Sequence, residues 1–377
     1  MKRMKSVFLF VSLFLITSSL SAQNTSEKII GGNEGLIIGG YGEVHGNFYL
    51  NDDNQRESNA KLDVHRLVSF IGYKFNDKVT FVSEVEYEHV IELYVEQAFL
   101  DYKISENISF QSGLMLIPMG IQNLYHEPNT FNGVERTSVD KYIVPTTWRE
   151  IGAGVSGRLN DYSINYQLMM VNGFNGFEDG RGLFSGKNGL RSARQKGAES
   201  YVTDFDFAGR VSYYGYLGWN LGASFYSGES ETSEFGNDST QIDVQMTGID
   251  ARYNNGHFQA RAQYIVADLG NTLAYNTKTS NDLGSVMTGY YLEIGYDVLQ
   301  GNSDNKLILF GRYEDYNTHA ETVGLNPNLA YDRSETTIGL TFHVADGAAF
   351  KMDYQLKSNE ESQEDMKQFN LGIGISF

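Results

Sequence analysis

The 377-residue sequence has no cysteine, four prolines and two tryptophans. A chain without cysteine has no disulfide staples, and a cysteine-linked lipoprotein anchor is excluded. Positive charge is scarce: 29 Lys and Arg stand against 47 Asp and Glu, a net charge of −18. That deficit argues against nucleic acid as a partner bound through a basic surface. No later stretch holds about 18 uninterrupted apolar residues, so a membrane-spanning helix is not expected.

What is abundant is Gly (40), Tyr (25) and Phe (23). Aromatics and glycine at this level suit many strands joined by tight turns. The first residues, Met1-Lys2-Arg3-Met4-Lys5, are basic, an apolar run follows from Val7 to Ile16, and small residues lead to Ala22. This pattern predicts a secretory signal peptide over residues 1–22, cut near Gln23, with an apolar run too short to span a bilayer. Residues 1–22 hold three basic and no acidic groups, leaving 26 basic against 47 acidic, a charge of −21, in the rest. Residues 23–35 are polar and Gly-rich and read as a flexible periplasmic lead-in. Residues 36–377 read as one barrel domain.

Within that domain, alternation of apolar and small or polar residues recurs sixteen times, in segments near 36–50, 61–75, 79–90, 92–104, 107–117, 150–159, 162–172, 205–214, 218–228, 242–253, 257–268, 286–298, 306–317, 333–345, 348–358 and 367–377. The last is the clearest. Phe369, Leu371, Ile373, Ile375 and Phe377 fall on one face and Asn370, Gly372, Gly374 and Ser376 on the other. An apolar face to lipid, small residues to a lumen and a terminal aromatic are what a strand closing a transmembrane barrel needs. The barrel-assembly machinery is the partner expected to read Phe369–Phe377. Connections alternate in length: short ones such as Asn76-Asp77-Lys78, Asn160-Asp161 and Asp346-Gly347 carry turn chemistry. Long ones cover 51–60, 118–149, 173–204, 229–241, 269–285, 318–332 and 359–366, with His89–Glu92 the short exception. Segregated loop lengths define the expected fold: all-β, a transmembrane antiparallel up-and-down β-barrel of about sixteen strands, with long extracellular loops and short periplasmic turns. Its location is the outer membrane of a Gram-negative bacterium, with membrane lipids and small hydrophilic solutes as partners. Sixteen strands enclose an aqueous lumen.

Strand parity points charges into that lumen. Arg66, Arg210, Arg261 and Arg312 are the pore-lining basic candidates. Glu84, Glu86, Glu88 and Glu293 are the acidic ones. In a sixteen-strand ring the Glu84–Glu88 strand lies across from Arg261, so an acidic wall facing a basic one, with a transverse field between them, is expected.

The connection 118–149 holds Pro118, Pro128 and Pro145 and recurrent apolar residues, which argues for a folded insert rather than disorder. Tyr125, Glu127, Glu135, Arg136, Asp140 and Trp148 are its candidate constriction residues. Three stretches around it, Gly113-Leu114-Met115-Leu116-Ile117-Pro118-Met119-Gly120, His126-Glu127-Pro128 and Val144-Pro145-Thr146-Thr147-Trp148-Arg149-Glu150-Ile151-Gly152-Ala153-Gly154, resemble the phosphate-selective porin O and P family, particularly its members from Bacteroidetes-like bacteria. The resemblance implies a sixteen-stranded outer-membrane channel, usually a homotrimer, whose third loop folds inward. The phosphate-specific members resemble an arginine-lined, strongly basic pore. This chain lacks that basic excess, so the architecture is carried over and the substrate is not.

No enzyme is expected. The seven histidines lack metal-ligand spacing, His126-Glu127-Pro128 is not the HExxH helix motif, and no Gly-x-Ser-x-Gly elbow occurs. No cofactor and no metal are expected. The function read from the sequence is passive diffusion of small hydrophilic solutes or ions. A phosphate- or anion-selective channel of the same fold is the nearer alternative. A non-conducting adhesin or receptor displaying loops 118–149 and 173–204 is the more distant one.

Overall fold

The computed structural model describes residues 29–51, 53–234, 236–301, 305–362 and 365–377, so the expected signal peptide lies outside the described residues. Sixteen strands form the wall: β1 Gly35–Leu50, β2 Lys61–Asn76, β3 Val79–Glu88, β4 Glu92–Ser105, β5 Ile108–Leu116, β6 Arg149–Leu159, β7 Ile164–Val171, β8 Asp206–Tyr213, β9 Trp219–Glu229, β10 Asp243–Asn255, β11 Phe258–Leu269, β12 Val286–Asp297, β13 Lys306–Glu321, β14 Asp332–Ala345, β15 Ala348–Asn359 and β16 Met366–Ser376. Each pairs antiparallel with its sequence neighbour, and β16 returns to pair with β1 in the register Tyr41↔Ser376 to Leu50↔Lys367. Backbone bonds in both directions between Gly40 and Phe377 complete the seam. Closure leaves the wall without an exposed strand edge.

The period-two sequence decides which way each side chain points. Along β12, Met287, Tyr291, Glu293 and Asp297 are buried in the lumen, while Tyr290, Leu292, Ile294 and Tyr296 face out. Leu292, Ile294 and Leu309 are 45–49% exposed, and with Tyr313, Phe350, Ile373 and their counterparts on other strands they make an apolar outer surface. Such a surface is stable against lipid and not against water. Short turns gather at one end and long connections at the other, with both described chain ends on the short-turn side. The lead-in expected to be flexible is held against β2 from Ile29 onward. Ile29 is fully buried over Gly72, and Lys74 Nζ donates to Gly32 O at 2.9 Å.

Gly113 on β5 adopts φ +137°, and a Cβ there would lie 2.3 Å from Ala98 O on β4. A side chain is excluded both by the backbone conformation and by the neighbouring strand. Gly113→Val is expected to lower the temperature at which the folded band disappears in semi-native gels. An unchanged transition would show that β4 and β5 can part without cost.

Candidate functional site

The loop between β5 and β6 is rooted by Asn123. Its amide donates to Ile117 O (2.7 Å) and Trp148 O (2.9 Å), and its carbonyl accepts from Trp148 N (2.7 Å). One side chain thus ties the outgoing and returning arms together. From this root the loop turns into the barrel rather than out of it. Tyr125 lies under the Arg252 guanidinium at 3.8 Å. The buried Glu127 leads to Asn129, which donates to Gly347 O (2.8 Å) and Ser376 Oγ (3.0 Å), both at the short-turn end. The chain then climbs the opposite wall. Asn132 donates to Glu293 (3.0 Å) and Val134 N to Asp353 (2.6 Å). Glu135 accepts from Asn47 (2.8 Å), Arg136 lies 3.6 Å from Glu43, and Ser138 N donates to Glu314 (2.6 Å).

Its last turn is the short helix α1, Val139–Tyr142. Asp140 there accepts from Thr137 Oγ1 (2.6 Å) and Gln263 (2.9 Å), and burial pushes its carboxyl up to about 6. Met119, Ile121, Val139, Ile143 and Val144 are buried along the loop, which explains its apolar content.

A second connection, 172–205, also turns part of its length inward. Phe174, Phe184, Leu190 and Ala193 are buried. Trp148 stacks on Phe174 at 4.4 Å and meets Tyr226 edge-on at 4.6 Å. Phe184 reaches Tyr275 on helix α2, Thr272–Thr279, whose hydroxyl donates to Gly176 O at 2.7 Å. Trp148 therefore joins the root of the first loop to the cap made by the second.

The inward charges do not stand as separate walls. Arg210 forms a two-pronged bond to Asp250 (2.6 and 2.7 Å), reaching from β8 to β10 across Gly222 of β9. A Cβ at Gly222 would fall 2.1 Å from the guanidinium, so only glycine leaves the passage. Arg261 pairs with Glu293 at 3.1 Å, and Arg312 with Glu293 (3.4 Å) and Glu314 (2.9 Å). On the facing side, Arg66 pairs with Glu43 at 2.5 Å and lies 3.9 Å from Glu86. Glu84 accepts from Gln97 at 2.9 Å, and Glu88 lies 3.9 Å from His89. The arginines of the expected basic wall thus sit in local pairs, while Glu84 on the facing side is met by the Gln97 amide. Sequence parity assigned the faces but not the carboxylate each arginine would find.

Recesses lie at each end of β3 and β4. One, about 370 Å³, opens at the short-turn end and is lined by Lys74, Asp77, Lys78, Asp101, Lys103 and Glu106 among others. The other, about 610 Å³, lies at the long-loop end between Glu88, Glu92 and Tyr94 on one side and Lys141, Arg191, Arg194 and Lys196 on the other. Burial with neighbouring Arg191 and Arg149 pushes Arg194 down to about 9, and burial with Arg194 and Arg149 pushes Lys196 down to about 8. These cations are crowded together in an acidic protein. Reading by strand parity passed over them because they lie in a loop. The signal was present as Lys187, Arg191, Arg194 and Lys196 within ten residues.

A closed sixteen-stranded wall, an apolar exterior, a charged interior and a loop folded into the lumen define the fold of outer-membrane porins. Solved structures agree on that fold. The anion-selective porin from Comamonas acidovorans is 10% identical with a TM-score of 0.60, over 92% of this chain and 100% of that one. The outer-membrane channel DcaP of Acinetobacter baumannii is 11% identical with a TM-score of 0.60, over 91% and 97%. The trimer form of OmpT, an outer-membrane protein of Vibrio cholerae, is 13% identical with a TM-score of 0.53, over 91% and 100%. No protein-family profile matches the chain. The chain belongs to the same family as an uncharacterised protein of Aquifex aeolicus (strain VF5), with 31% identity over 356 residues, 90% of this chain and 79% of that protein.

Proposed function

We propose that the protein is an outer-membrane channel for passive diffusion of small hydrophilic solutes, and that its outer recess favours small anions. The observation that carries the reading is the group Lys141, Arg191, Arg194 and Lys196 facing two carboxylates in a recess at the long-loop end. A concave site of one dominant sign raises the local concentration of counter-ions at a pore mouth. The anion-selective porin among its structural relatives fits this reading, and the trimer among them fits a homotrimer. A kinship with phosphate-selective porins is the narrower form. It is supported by the motif residues 113–120 and 144–154, which build the root that Asn123 ties.

Replacing Arg191 and Lys196 together by Ala is expected to move the reversal potential in a salt gradient toward cation preference. Raising the pH through about 8, where Lys196 loses its proton, is expected to move the wild type the same way and the double variant less. Equal potentials for both proteins across that range would contradict the reading. Block of chloride current by phosphate, lost in the double variant, would support the narrower form. No block leaves a general anion-preferring channel.

A further inference from the structure

Among the described residues, two groups of three histidine and carboxylate donors lie close enough to share one ion, and they differ in kind. At the rim, Asp63, His65 and His89 are partly exposed, and the Asp63 carboxylate already meets both imidazoles, at 3.3 and 2.6 Å. Hydrogen bonds account for that group. The other lies at mid-depth between the two recesses: Glu84 on β3, Glu96 on β4 and His126 on the lumenal loop, with donor atoms all within 4.8 Å of one another. Glu84 and Glu96 are fully buried and His126 is 2% exposed.

Hydrogen bonds account for only part of this second group. Glu84 Oε1 and Glu96 Oε1 are buried without a hydrogen-bond partner, and Arg149 lies 4.0 Å from the latter. Two carboxylates brought together in a dry site are costly unless a cation joins them. His126 is oriented for a cation. Its Nδ1 donates to Asn123 O at 3.1 Å, and its Nε2 lies 3.0 Å from the Tyr41 hydroxyl and 3.5 Å from Glu96 Oε2, where a bound ion would take the place of the Nε2 proton. The supporting contacts are those of an ordered ligand set. Gln97 holds the second oxygen of Glu84 at 2.9 Å, and the Tyr41 hydroxyl donates to Glu96 at 2.9 Å.

We infer that Glu84, Glu96 and His126 bind one divalent transition-metal ion of the Zn²⁺ or Mn²⁺ type, which pins the lumenal loop to the barrel wall. The donor set selects this class. Mixed imidazole and carboxylate ligands suit Zn²⁺ and Mn²⁺, whereas Ca²⁺ requires six to eight oxygens. A doubly charged ion cancels the two carboxylates, and small side-chain rotations bring each donor to about 2.0–2.2 Å from it. The site was not legible as a motif because its ligands come from two strands and a loop, at positions 84, 96 and 126. It holds the loop beside its root whether or not the barrel conducts.

The test uses the full mature chain purified in detergent, stripped with EDTA, and titrated with ZnCl₂ or MnCl₂, with bound metal counted by mass spectrometry. One equivalent is expected to be retained after dialysis, with a rise in the temperature at which the folded band is lost. Glu84→Gln keeps the shape of the side chain and is expected to weaken binding by more than about tenfold. His89→Asn, which breaks the rim group, is expected to bind like the wild type. No stoichiometric uptake by the folded wild type would overturn the inference whatever the variants do, and would leave a shared proton as the link between the carboxylates. Uptake lost in His89→Asn and kept in Glu84→Gln would overturn it too, by placing the ion at the rim.

Discussion

Removing residues 122–142 and joining the cut ends through a short Gly–Ser linker raises the single-channel conductance several-fold. The loop runs from its root at Asn123 down to the short-turn end at Asn129 and back up past Val134 and Ser138, so its backbone crosses the lumen twice. The space it fills is space denied to ions. The wall does not depend on it, because every strand is hydrogen-bonded to two others and the β1–β16 seam closes through its own backbone. Deletion exposes Glu293, Glu314 and Asp353 to water, which solvates them at little cost. A folded deletion variant with the conductance of the wild type would show that the loop leaves the permeation path clear.

Arg312→Leu is expected to destabilise the barrel by about 3–5 kcal/mol, the usual penalty for removing one partner of a buried charge cluster. Arg312 is 2% exposed and lies within 3.4 Å of Glu293 and 2.9 Å of Glu314, and it donates to Glu135 O at 3.2 Å. Glu293 keeps Arg261 after the change. Among the described residues, Glu314 then keeps its bonds from the backbone of Ser138 and Val139 and loses its charge partner. Arg312→Lys restores a charge without the planar fork and is expected to recover part of the loss. Refolding in a urea gradient reads both effects. Equal midpoints for wild type and Arg312→Leu would contradict a paired, desolvated cluster.

The wall was legible because lipid outside and water inside impose opposite demands on alternate residues. The strand expected near 150–159 is Arg149–Leu159, and that near 286–298 is Val286–Asp297. The inward course of the 118–149 loop was legible from its apolar residues, since an exposed loop has no use for Ile143 or Trp148. The same reasoning applied to 173–204 would have found Phe174 and Phe184, but that stretch is rich in Gly and charged residues and lacks the prolines and the aliphatic run that mark 118–149. Charge pairing was not legible. It depends on the register between strands, whether adjacent, as with Arg261 facing Glu293, or one strand apart, as with Arg210 and Asp250 meeting over Gly222. It depends too on where a long loop lands, as with His126 beside Glu96 at 3.5 Å.

The most direct test of the account is the current carried by purified, heat-modifiable protein in a planar bilayer. Discrete conductance steps are expected, with a reversal potential in a salt gradient on the anion side. A well-folded protein that inserts and carries no current would contradict it, and would favour a surface barrel that binds rather than conducts.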